Sequence, residues 1–159
     1  APARRGAGLI IAGIVVLVGA SNGIAGLFAA ADVSLGDNAA VTVGAGDPGY
    51  LLTMVGFSLL VVGPAEELLF RGVVQGRLRE TLGVWPSILA ATVLFGLSHA
   101  SVSGGLAGVV AYILTATLLG VLLGYLYERT DNIVVPGVIH GVNNAVIFAW
   151  LYLGEIGVV

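Results

Sequence analysis

Long apolar runs separated by short polar gaps define this chain. The first run covers about 9–31 and the second about 50–80. The third opens at Trp85-Pro86 and ends near 99–101; the fourth and fifth cover about 106–127 and 133–153. A helix of roughly 20 apolar residues crosses the ~30 Å hydrocarbon core of a bilayer. The pattern therefore predicts an all-α fold: a multi-pass transmembrane helix bundle of about five spans.

The gaps carry the orientation. Arg4, Arg5, Arg77, Arg79 and Arg129 fall at alternate run ends. The excess of arginine assigns those ends, and the N-terminus, to the cytoplasm. Asp32, Asp37, Asp47 and Glu155 fall at the opposite ends. Residues 32–49, rich in Gly and Asp, read as an exposed extracytoplasmic loop closed by the turn residues Asp47-Pro48-Gly49. Residues 101–105 read as a short turn. The first run, 1–31, has a competing reading as a secretory signal peptide, with two arginines, an apolar centre and Ala29-Ala30-Ala31. Its length favours a retained span. Residues 50–159 then form the functional core.

Two details concern packing. As a helix, the second run would be ~45 Å long, more than the membrane is thick, so tilt or a break at Gly63-Pro64 is expected. Small residues recur four apart at Gly72/Gly76, Gly104/Gly108, Gly120/Gly124 and Gly137/Gly141, a pattern of close helix contact. Ser21 and Asn22 read as helix–helix hydrogen bonders.

Composition narrows the class. Only 9% of the 159 residues are charged, against about a quarter in a soluble domain, so the chain cannot cover itself with polar surface. It has no cysteine, which removes disulfide, thiolate-metal and cysteine-nucleophile chemistry. A net charge of −3, scattered along the chain, gives no reason to expect nucleic acid. The lysine-free, Gly/Ala-rich composition points to a prokaryotic plasma membrane. Gly-rich faces leave room for a homo-oligomer.

Against this background, ionisable groups inside the runs stand out, because charge at membrane depth is costly and marks function. The second run holds Glu66, Glu67 and Arg71; the third ends in His99; the fifth holds His140 and Asn144. Counted from the cytoplasmic ends at 1.5 Å per residue, Glu66 lies ~16 Å deep, His99 ~20 Å, His140 ~12 Å and Asn144 ~18 Å. One shared site is therefore permitted. Glu67 and Arg71 are four apart and can pair along one face, leaving Glu66 free. Phe95, four before His99, can pack on the imidazole. Asn143 and Tyr125 read as structural hydrogen bonders. One Glu and two His allow two hydrolytic chemistries. Glu66, His99 and His140 could hold a zinc ion with an open water position. Alternatively, Glu66 with His99 could act as general base while His140 and Asn144 donate to the oxyanion. A non-catalytic scaffold and a proton or ion pathway are the readings from other classes.

Glu66-Glu67-x-x-x-Arg71, Phe95-x-x-x-His99 and His140-x-x-x-Asn144, in this order and each in an apolar run, resemble the signature of the CPBP family of intramembrane proteases. This is the CAAX-protease and bacteriocin-processing family, also called Abi. The resemblance covers about 50–153. It implies a helical membrane bundle in which a peptide bond of a membrane-embedded or membrane-associated protein is hydrolysed. Glu66 would activate water, His99 would be its partner or a metal ligand, and His140 and Asn144 would complete the site. Members are described both as zinc enzymes and as metal-free glutamate-dependent ones. Eukaryotic members trim prenylated CAAX proteins; prokaryotic members are tied to bacteriocin processing or self-immunity.

Overall fold

The computed structural model describes residues 2–100 and 105–159, with side chains from residue 6 onward. Most of the turn expected at 101–105, with Gly104, lies outside the described residues. The fold is all-helical. Among the described residues six helices follow one another: α1 (Pro2–Ala30), α2 (Ala39–Val43), α3 (Pro48–Leu82), α4 (Val84–Leu97), α5 (Leu106–Thr130) and α6 (Val134–Glu155). Four of them are long and apolar enough to cross a membrane: α1 from Gly6, α3, α5 and α6. The third expected span is shorter. With 14 residues, α4 is ~21 Å long, well under the ~30 Å core.

Helix α3 does not break at Gly63-Pro64. It stays continuous over 35 residues by widening its turns. Pro64 has no N–H, and its ring would collide with the carbonyl four residues back. The preceding turn relaxes instead, and the Gly63 N–H reaches the Ser58 carbonyl, five residues back. A second wide stretch covers Leu68–Gln75, where the Gly76 N–H likewise reaches Arg71. Such wide turns are rare and concentrate at functional sites.

The small residues act unequally. Gly63 lies against α6 so closely that a Cβ there would sit 2.5 Å from the Gly141 nitrogen and 3.0 Å from the Gly137 carbonyl oxygen. Gly120 and Gly124 similarly make room for Arg71 and Gln75 of α3. Gly72 faces open space, so the Gly72/Gly76 pair is not a helix contact. Leu17 of α1 is buried with Leu123, Leu126, Val135 and Ile139, which makes α1 part of the packed bundle. Asn22 bonds back to the Val18 carbonyl of its own helix and not to another helix.

The segment read as an exposed loop is mostly exposed, yet it is tied to the bundle at three points. Asn38 caps α2 through Val41 and donates its amide to the Tyr112 hydroxyl of α5 at 3.2 Å. Gly36 N–H donates to the Gly108 carbonyl, where a glycine lets the two backbones meet. Gly46 N–H donates to Glu155 at the end of α6. Backbone groups must find partners when packed, and here the bundle supplies them.

Gly63→Ala should push α3 from α6, because the clashing atoms are backbone and cannot rotate away. A loss of about 1–3 kcal/mol is expected for such overpacking, read as a lower unfolding midpoint in detergent. Gly72→Ala, facing open space, should not lower it.

Candidate active site

The α3–α6 crossing sets two carboxylates against one imidazole. Glu67 lies one turn after Gly63, and His140 lies between Gly137 and Gly141. The Glu67 carboxylate is fully buried and accepts from Arg71 Nε on one oxygen and His140 Nδ1 on the other, both at 2.9 Å. An ionised carboxylate can only accept, so His140 Nδ1 carries the hydrogen. His140 Nε2 is thereby turned to Glu66, whose Oε2 stands 3.5 Å away. The Glu66 side chain is about one-third exposed (32%), whereas Glu67 and Arg71 are at 0%. Two adjacent glutamates thus occupy opposite environments.

Glu67 and Arg71 pair as their spacing suggests, but Glu67 also orients His140. Its oxygens serve two helices. Arg71 Nη1 and Nη2 are buried without a hydrogen-bond partner among the described residues. The guanidinium lies 5.1 Å from the Phe95 ring centroid, a contact that partly offsets a cation's desolvation.

Phe95 is the hub of the aromatic side. Its ring meets Phe70, His99 and His140 edge-on, at centroid separations of 5.1, 4.7 and 5.6 Å. His99 sits just past the C-terminal end of α4 and is held from both sides. Its Nδ1 lies 2.8 Å from the Phe95 carbonyl oxygen, which can only accept, so this nitrogen donates and Nε2 is left as an acceptor. Tyr112 faces the other side of the ring at 5.8 Å.

Two adjoining cavities connect these groups. One, of about 260 Å³, is lined by Glu66, His99, Tyr112, Asn144 and Ser58, with Asn38 from the folded loop. The other, of about 120 Å³, shares His99, Tyr112 and Asn144 and adds His140 and Asn143. Glu66, His99 and Asn144 line the first, and His99, His140 and Asn144 the second, so the four residues border two adjoining cavities. The side chain placed in polar contact with Glu66 is that of His140, one of the two histidines that the sequence sets at similar depth.

The zinc alternative can be tested on the donor set. A metal needs three donors converging at ~2.0–2.2 Å. His140 and His99 each commit Nδ1 to a protein oxygen, which leaves only Nε2 of each ring available to a metal. Among the described residues, no three His, Asp or Glu side chains group closely enough to hold a metal ion. As placed, Glu66, His99 and His140 do not converge as a three-donor set.

Three participants are missing from the residues singled out in the sequence. Asn38 and Tyr112 reach the site only through tertiary contact and leave no local signal. Gln75 continues the Glu67/Arg71 stripe at the same interval of four, a legible sign. It is fully buried and donates Nε2 to the Gly124 carbonyl and to Glu128, which also meets Arg79.

Comparison with known proteins agrees with the motifs. The profile of the family "Type II CAAX prenyl endopeptidase Rce1-like" matches residues 48–146. That range holds Glu66, Glu67, Arg71, Phe95, His99, His140 and Asn144. A protein of Bacillus subtilis (strain 168) named "Putative membrane peptidase YdiL" is 34% identical over 77 residues, which is 48% of this chain and 28% of that protein. The chain thus covers less than two-thirds of that relative. No solved structure matches.

The burial contrast separates the two glutamates experimentally. Glu67→Ala strands a buried guanidinium and should cost about 3–5 kcal/mol, seen as poor accumulation or a markedly lower unfolding midpoint. Glu66→Gln, at a wetter position and near-isosteric, should leave that midpoint within about 1 kcal/mol of the parent.

Proposed function

The chain belongs to the Rce1-like type II CAAX prenyl endopeptidase family, and from that membership and the cavity geometry we propose that it is an intramembrane endopeptidase. Its substrate is a peptide bond of a membrane-embedded or membrane-associated protein. The protein sits in the membrane with its N-terminus cytoplasmic, α1 being retained as a span. The observation that carries the reading is the shared cavity. Glu66, His99 and Asn144 line it, and His140 backs Glu66 at 3.5 Å.

The roles follow from which atoms are already engaged. A water in the cavity can donate one hydrogen to Glu66 and the other to His99 Nε2. Glu66 takes the water's proton as the oxygen bonds to the substrate's carbonyl carbon. The Asn144 amide is the donor available to the developing oxyanion. The C–N bond then breaks, and the proton on Glu66 passes to the leaving nitrogen. Atoms and charge balance without a further reactant. Phe95, Glu67 and Arg71 act on the reaction through the positions of His99 and His140.

Purified protein in lipid vesicles with a membrane-anchored peptide tests this. Glu66→Gln should reduce cleavage by 10²-fold or more, and Asn144→Ala by about 10²–10³-fold, with both variants folded. Normal turnover by folded Glu66→Gln protein would overturn the mechanism. Activity should persist in a strong chelator; loss there, with recovery on adding zinc, would restore the metal reading. A phenotype unaffected by both substitutions would instead identify a non-catalytic scaffold or immunity protein.

A further inference from the structure

The two ends of the bundle are not equivalent around the site. On the side of Arg77, Arg79 and Arg129, the space below Glu67 and Arg71 is filled. Gln75 is fully buried and tied to Gly124 and Glu128, Arg79 closes on Glu128 at 3.3 Å, and Ile88, Leu123 and Ile139 pack without exposure above 2%. Buried Leu17 and Leu123 are the floor of the smaller cavity.

On the opposite side the walls recede among the described residues. Helix α4 ends at Leu97 after 14 residues, while its neighbour α5 has 25. At 1.5 Å per residue, that difference leaves ~16 Å of α5 without α4 beside it. The catalytic cavity occupies this level. Beyond Glu66, His99 and Asn144, its walls are Met54 and Ser58 from the first part of α3, Phe148 from the last part of α6, and Asn38 and Ala39 from the folded loop. A further groove shares Tyr112, Asn38 and Ile147 with that cavity and continues to Trp150 and Leu151. These helix ends carry Asp32, Asp47 and Glu155 and no arginine.

Arginine-rich ends stay in the cytoplasm. We propose that the catalytic cavity is entered from the extracytoplasmic side, past the 31–47 segment, and that its substrates are peptide segments exposed at that surface of the membrane. The choice of peptide rests on the endopeptidase reading; the direction of entry does not.

The absence of native cysteine makes the direction directly testable. Single-cysteine variants of the full chain would be made at Ala39, on the cavity wall, and at Thr81, on the arginine-rich end. In intact cells, a membrane-impermeant maleimide should label the Ala39→Cys variant. The Thr81→Cys variant should label only after permeabilisation. The reverse pattern overturns the proposal whatever the activity. In vesicles, a bulky maleimide on Ala39→Cys should slow cleavage of an anchored peptide at least tenfold, while the same adduct on Thr81→Cys leaves it unchanged. Undiminished cleavage with the Ala39→Cys site blocked also overturns the entry route. The expected labelling in a protein that cleaves no peptide would keep the direction and remove the peptidase reading.

Discussion

A single buried carboxylate, Glu67, is the constraint on which the rest of the site depends. Two unrelated donors, Arg71 Nε and His140 Nδ1, meet its two oxygens at 2.9 Å. A carboxylate taken out of water is tolerable only if charge and hydrogen bonds compensate it. Here the compensation joins residues 73 positions apart, locking α3 to α6. Because His140 gives one ring nitrogen to Glu67, the other has to face Glu66. A structural ion pair thus sets the orientation of an imidazole that borders the cavity.

The backbone makes this contact possible. Gly63 and Gly141 allow two helices to approach at a distance no side chain would permit, and Pro64 obliges α3 to open its preceding turn. In a bilayer there is little hydrophobic gain from bringing helices together, so close packing and interhelical hydrogen bonds carry the association. Both are concentrated at this crossing. Gly120 and Gly124 repeat the device on α5, where room for Arg71 and Gln75 replaces room for backbone.

The same economy explains where space is left. One side of the site is closed by a buried Gln75 that joins two helices. On the other, α4 is short, and the described residues leave a void that the 31–47 segment borders through Asn38. Exposure of Glu66 and burial of Glu67 follow from this asymmetry, since successive helix positions point about 100° apart, one to the void and one to the packed crossing.

Much of this was legible before folding. The apolar runs and their period define the helices, the arginines mark one set of ends, and Glu66, Glu67, Arg71, His99, His140 and Asn144 stand out because charge and amide groups are rare at membrane depth. Those are local properties, set by solvation and by intervals of four along one helix. The tertiary structure decided what intervals cannot express: that Glu67 serves His140 as well as Arg71, that His140 is nearer to Glu66 in the pairing than His99, and that Asn38 and Tyr112 belong to the cavity. It also decided that Gly63-Pro64 widens α3 without breaking it, and that only some of the glycine pairs are contacts. Each of these depends on which face of one helix meets which face of another. That is settled by the packing of the whole bundle and is written in no single stretch of chain.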